Sequence, residues 1–249
     1  MPDAGEALAL LQLLARRGTP QPGAALAREL GIPRSSTYRL LGVLRDAGFV
    51  THSPDDRRWG LGVAAYELGS AYTRQEPLQR VALPTIRRLV DEVQQNAHLA
   101  VLHGRDVLYV IEERAPGRPM LVTDVGVRLP APLTASGLAL LAAQPTAQVR
   151  ALFPSRAEFV QRQGVGPTSL TALRSELAQV RRRGYAIEDG SVTPGIASIA
   201  ACVFDHTGQP AAGLACTFGA DLPESDRDDL VAQVQASAAS LSHRLGHRA

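Results

Sequence analysis

The sequence predicts an α+β protein of two domains, an N-terminal winged helix-turn-helix followed by an antiparallel sheet with flanking helices. Three observations carry that expectation. A length of 249 residues, 45% hydrophobic and 20% charged, is ordinary globular composition and enough for two modest cores. The first 62 residues read as three short helices and a hairpin. The remainder alternates strands and helices without the strict repeat that a parallel sheet would show.

Residues 4–17 (AGEALALLQLLARR) carry Leu10, Leu13 and Leu14 on one helical face and stop at Gly18. GAALAREL at 23–30 repeats the pattern through Leu26 and Leu30 and stops at Gly31. Pro33 suits a first helical position, and SSTYRLLGVLRDAG places Leu40, Leu41 and Leu44 together before Gly48. With only Gly31 and Ile32 between them, the second and third helices form a tight helix-turn-helix. FVTHS, the turn PDDR and RWGLG then give a β-hairpin, the wing. VAAYELGSAYTR predicts a linker helix within 63–76, and 77–96 a long amphipathic helix interrupted by Pro84. In the second domain, 77–249, HLAVLHG, RDVLYVIEE, PMLVTD, YAIED, SIAACVFD and AAGLACTFG read as strands. SGLALLAAQ, TAQVRALF, SLTALRSELAQVRRRG and about 223–245 read as helices.

Composition excludes several classes. All 26 basic residues are arginine, yet the net charge is only +2, so a nucleic-acid surface must be built locally. Cys202 and Cys216 are too few for a disulfide framework and read as buried small hydrophobes. His98, His103, His206 and His243 have no ligand spacing, so no metal and no cofactor are expected. The longest apolar runs fall far short of the roughly 20 residues a membrane span needs. With no cationic leader before the first apolar stretch, the expectation is a cytoplasmic chain with no membrane partner.

The local charge lies in the helix-turn-helix. Between Arg28 and Arg58 stand six arginines and four acids. The recognition helix would hold Arg34, Ser35, Ser36, Tyr38 and Arg39 at its N-terminal end, where base edges are met in the major groove. Arg57 and Arg58 on the wing would neutralise phosphate, partly opposed by Asp55 and Asp56. Double-stranded DNA is the expected partner. One such module reads too few base pairs for genomic specificity, so a near-palindromic operator and a homodimer or homotetramer are expected.

GIPRSSTYRLLGVLRDAGFV, WGLGVAAYELG, LPAPLTASGLALLA, RRRGYAIEDG, GIASIAACVFD and LSHRLG, in this order, resemble the IclR family of bacterial transcriptional regulators over nearly the whole chain. Trp59 stands where that family commonly has Tyr. The resemblance implies a GAF-like second domain that takes a small effector, often an organic acid, in a cup. It places effector contacts on Ala135, Ser136 and Gly137, whose backbone N–H groups at a helix start suit an anion. It adds Glu188, Ser198, Ala215 and Thr217. Pro132 and Leu133 stand where the family often has a His, Leu138 where Lys is common, and Ala215 where a serine is common. These departures predict a cup of low polarity and an effector with a larger apolar part. Two other readings stay open: an α+β enzyme with a nucleic-acid-binding appendage, and a GAF-like domain that only oligomerises. No G-x-S-x-G, H-E-x-x-H or G-x-x-x-x-G-K-[ST] motif supports the enzyme.

Overall fold

The computed structural model describes residues 4–75, 78–118, 125–162 and 164–248. The chain divides into two compact units, Met1–Pro77 and Leu78–Ala249, with separate cores.

The first unit contains α1 (Ala4–Arg17), β1 (Gln21–Pro22), α2 (Gly23–Leu30), α3 (Arg34–Asp46), β2 (Val50–Ser53), β3 (Arg58–Leu61) and α4 (Val63–Gln75). Its core follows the helical period: Leu10, Leu13 and Leu14 of α1 meet Leu26 of α2, Leu40, Leu41 and Leu44 of α3, and Val50 and Trp59 of the hairpin. Gly31 ends α2 at φ 68°, a left-handed conformation that lets the chain reverse into α3 within three residues. Sequence reading left 19–22 as a connection, but Gln21 and Pro22 pair with Trp59 and Arg58 as a third, edge strand. An edge position tolerates the N–H that Pro22 lacks.

The second unit contains α5 (Leu78–Val93), β4 (Asn96–His103), β5 (Asp106–Glu113), β6 (Arg128–Pro130), α6 (Ala135–Ala143), α7 (Thr146–Leu152), α8 (Leu170–Arg183), β7 (Ala186–Asp189), β8 (Ile196–Phe204), β9 (Pro210–Gly219) and α9 (Glu224–Arg244). Six strands form one antiparallel sheet in the order β6-β5-β4-β9-β8-β7. Alternation divides its side chains: Leu99, Ile199, Leu214 and Cys216 face α5 and α9, while Ala100, Ala186, Ala200 and Ala215 face α6 and α8. Helix α6 is buried from Ala135 to Ala142, as its apolar composition on every side requires.

Three details differ from sequence expectation. Pro84 lies inside α5 without ending it, and the helix stops at Val93 rather than 96 because Gln94 adopts φ 52° and turns the chain into β4. Strand β6 falls on a stretch the sequence left unassigned, since three residues are too short for a period to show. The strand expected at 119–124 lies outside the described residues. Among the described residues, no helix is long and apolar enough to cross a membrane.

Candidate functional site

Two sites carry chemistry, one in each unit. In the first, Thr37, Leu40, Leu41 and Leu44 anchor α3 inward, so Arg34, Ser35, Tyr38 and Arg39 are exposed and Ser36 is half-buried. The arginines differ in availability. Arg17 pairs with Glu29 at 2.7 Å and Arg45 with Asp46 at 2.9 Å, whereas Arg34, Arg39 and Arg57 make no ion pair among the described residues. Arg58 donates one N–H to the Pro20 carbonyl at 3.1 Å, and its charge helps hold the nearby Asp56 carboxyl down. Arg57 sits in the wing turn at φ 54°. Beside it, a hydrogen bond with Ser53 holds the Asp56 carboxyl below its usual range. Tyr38 is 47% exposed and its ring stands edge-on to Trp59 at 6.5 Å, so it is a braced side chain rather than a free arm.

The second site is a narrow cavity of about 20 Å³, measured for the centres of water-sized spheres, between the start of α6, the sheet and the 190–196 loop. That is room for a water or a very small ligand. Strand register builds its floor: Thr217 of β9 opposes Ser198 of β8, which opposes Glu188 of β7. Side chains two apart share a face, so this row lies on the α6 side of the sheet. Ser198 Oγ and Thr217 Oγ1 are 2.9 Å apart and share a hydrogen bond, with Glu188 next to Ser198 across the strand pair. Glu188 Oε1 accepts N–H bonds from Ser191 at 2.5 Å and Val192 at 3.0 Å, which tie the covering loop down. Burial raises the Glu188 carboxyl above its ordinary range, against the lowering effect of those N–H bonds.

The opposite wall is the α6 terminus. Thr134 caps the helix by accepting the Gly137 N–H at 3.0 Å. This corrects one expectation, because Gly137 neither lines the cavity nor has an N–H to offer. Gly137 is there for packing: a Cβ would stand 2.1 Å from the Ala131 carbonyl oxygen. Ala135 and Ser136 do line the cavity, and their N–H groups occupy the helix start, where no intrahelical acceptor exists. Ser136 Oγ is buried with no hydrogen-bond partner.

Glu188, Ser198, Ala215 and Thr217 are brought together with Ala135 and Ser136 as the sequence suggested. His98, Tyr109, Thr134 and Thr193 also line the cavity, and sequence reading missed them. Those four add polar groups, but Val192 and Ile196 also line the cavity and its exposed surface is more apolar than polar. His98 is paired with Ala215 across β4 and β9 and stands edge-on to Tyr109 at 5.9 Å. Burial, helped by the nearby Arg114 charge, pushes its imidazole down to about 4, so it is neutral. Burial raises the Tyr109 phenol above its ordinary range. The signal for His98 was the alternation of HLAVLHG, which puts it on the face of Ala100, but that became a site only with the strand order known.

Similarity to known proteins identifies the setting of both sites. Residues 70–243 match the family of the bacterial transcriptional regulator IclR C-terminal domain, and residues 6–54 match the IclR helix-turn-helix domain. The chain belongs to the IclR family. The glycerol operon regulatory protein of Streptomyces coelicolor is 31% identical over 243 residues, covering 96% of this chain and 94% of that one. Transcriptional repressor IclR of Escherichia coli is 28% identical over 211 residues, covering 83% and 76%. An IclR transcriptional regulator from Silicibacter has the same fold, with a TM-score of 0.78 at 24% identity over 100% of this chain and 97% of that one. This regulator is therefore a DNA-binding transcription factor and not an enzyme. The α+β architecture of a helix-turn-helix domain and a curled sheet with helices is that of the IclR regulators.

Proposed function

We propose that this regulator binds a near-palindromic operator as a homodimer or homotetramer, and that a small organic acid in the second unit tunes its DNA affinity. Arg34, Ser35, Ser36, Tyr38 and Arg39 read and position the major groove, and Arg57 and Arg58 hold phosphate from the wing. Helix α4 links the two domains. The observation that carries the DNA reading is the distribution of ion pairs: Arg34, Arg39 and Arg57 make none among the described residues, while Arg17 and Arg45 are paired. Exposed Leu8, Val63, Tyr66 and Leu68 in the same unit supply apolar surface that a second copy would cover. Acting on DNA places the chain in the cytoplasm.

The effector reading rests on Ser136, a buried hydroxyl with no hydrogen-bond partner among the described residues, beside two helix-start N–H groups in a narrow cavity. An unmade hydrogen bond of this kind costs stability unless a ligand completes it. Footprinting with and without small carboxylates tests both halves. The expected result is a symmetric footprint whose half-maximal protein concentration moves when acid is added. A single half-site occupied by a monomer would overturn the symmetric operator. A footprint that no carboxylate moves, joined to an unmoved melting temperature, would overturn the effector reading, because any ligand of the native state must raise stability.

A further inference from the structure

The ring of Tyr38 is held by two neighbours. It lies on the start of α2, where a Cβ added to Gly23 would stand 2.9 Å from its Cζ and 3.0 Å from both Cε1 and the hydroxyl oxygen. Gly23 has no left-handed φ, so its backbone would accept any residue, and what excludes a side chain there is the ring. Trp59 of β3 meets the same ring edge-on, with centroids 6.5 Å apart at 69°. Trp59 is itself buried in the core of the unit and tilts against His52 of β2 at 4.5 Å. Tyr38 starts from α3, yet its hydroxyl is delivered to the first residue of α2. That hydroxyl makes no hydrogen bond among the described residues, and the side chain is exposed.

In a helix-turn-helix the second helix enters the groove while the first crosses the DNA backbone. A hydroxyl lying at the start of α2 is therefore placed for the backbone and not for a base edge. Resting on the DNA reading above, we propose that Tyr38 donates to a DNA phosphate, and that Gly23 and Trp59 are the positioning residues that preset its ring. A side chain held in place before binding loses less conformational freedom when it binds. The contact has a signature that separates it from its arginine neighbours. A phenol O–H carries no charge, so its bond to phosphate releases no counterion, whereas an arginine on phosphate adds about one to the salt slope. Phosphate is common to every sequence, so the bond adds affinity without discrimination.

The test uses the full chain, a duplex spanning the footprinted site and a scrambled duplex of the same length, titrated by gel shift across salt concentrations. Tyr38→Phe keeps the ring and should weaken binding to both duplexes by a similar factor, about tenfold, the effect of losing a hydrogen bond to a charged acceptor, with the salt slope unchanged. Gly23→Ala displaces only the far end of a flexible side chain, so the melting temperature should hold while binding falls by a comparable factor. In a Tyr38→Ala background the same Gly23→Ala change should be silent to within about twofold, because no ring is left to displace. Trp59 is the single tryptophan of the chain, and its emission should move in the same direction in Gly23→Ala and in Tyr38→Ala. Wild-type binding by Tyr38→Phe, a loss confined to the footprinted duplex, a salt slope lowered by about one, a Gly23→Ala loss that persists without Tyr38, or Trp59 emission unmoved by Gly23→Ala would each overturn the proposal. In those cases the DNA reading stands and only the Tyr38 assignment falls. A chain that binds neither duplex would overturn both.

Discussion

Helices α3 and α6 begin with similar chemistry and are put to opposite uses. Each presents serine side chains and unpaired N–H groups at its first turn, the positive end of its dipole. Helix α3 is amphipathic, so its polar side meets solvent and its arginines stand ready for a large polyanion. Helix α6 is apolar on all sides and buried, so its first turn meets a narrow cavity rather than open solvent. The difference teaches that burial rather than terminal sequence decides whether a helix start is a surface for DNA or a receptor for a small molecule.

The sharpest way to break the comparison is to disturb how α6 is seated. Gly137→Ala would push a Cβ to 2.1 Å from the Ala131 carbonyl oxygen, a rigid backbone neighbour. The expected loss is about 3 kcal/mol in the second unit, the upper range for overpacking. Gly42 on α3 has nothing within 4 Å of its Cβ position, and Gly42→Ala should stabilise by about 0.5–1 kcal/mol through helix propensity. Chemical denaturation of both variants checks the pair, and equal effects would show that α6 is not held as described.

Next in size is an acid sensitivity confined to the buried site. Folded His98 titrates at about 4 because burial disfavours its cation, while the unfolded residue titrates near 6.5. The unfolded state therefore takes the proton first, and stability falls as the pH drops from 6.5 toward 4. At pH 5 this amounts to about 2 kcal/mol, taking 1.36 kcal/mol per pKa unit. Glu188 has the opposite sign, since a raised carboxyl favours the folded state as the pH falls. His98→Gln keeps Glu188 unchanged, so the difference between the two unfolding profiles from pH 7 to pH 5 isolates the imidazole. Parallel profiles would remove His98 from the account.

On the α3 side the effect appears in binding rather than in stability. Arg34→Ala and Arg39→Ala should each weaken operator binding by about 1–3 kcal/mol if the side chain reads a base, or lower the salt slope by about one if it holds phosphate. Arg45→Ala removes a charge already paired with Asp46 and should bind within about twofold of wild type, as exposed pairs contribute little. Gel-shift titration across salt concentrations separates the three. Equal losses at Arg39 and Arg45 would mean that net charge rather than placement drives binding.

How much of this was legible in the sequence follows from the range of the interactions. The recognition surface depends on i, i+3 and i+4 spacing and two stop signals, so Leu40, Leu41 and Leu44 fixed which side of α3 faced outward before any coordinates were known. The cavity depends on pairing between strands far apart in the chain. Alternation tells that His98 and Ala100 share a face, but only the order β4-β9-β8-β7 sets His98 beside Ala215 and Glu188 in line with Ser198. Resemblance supplied Glu188, Ser198 and Thr217 as positions; it did not supply His98 or Tyr109, nor the cap that consumes the Gly137 N–H.

The smallest predicted change is also the most specific to the comparison, because it sets one helix-start serine against another. Ser35 on α3 is exposed, so Ser35→Ala exchanges a water-bonded hydroxyl for a methyl and should alter stability by less than about 0.5 kcal/mol. Ser136 on α6 is 1% exposed and its hydroxyl has no partner, so the folded protein without ligand carries the cost of desolvating it. Ser136→Ala relieves that cost and should leave stability equal to wild type or raise it by up to about 1 kcal/mol. The same substitution should weaken carboxylate binding, since one donor of the α6 wall is gone. A melting temperature that holds or rises while the acid-induced shift shrinks is the signature of a group kept for a ligand at the expense of the fold. A plain loss of stability would make Ser136 an ordinary core residue and close the gap between the two helix starts.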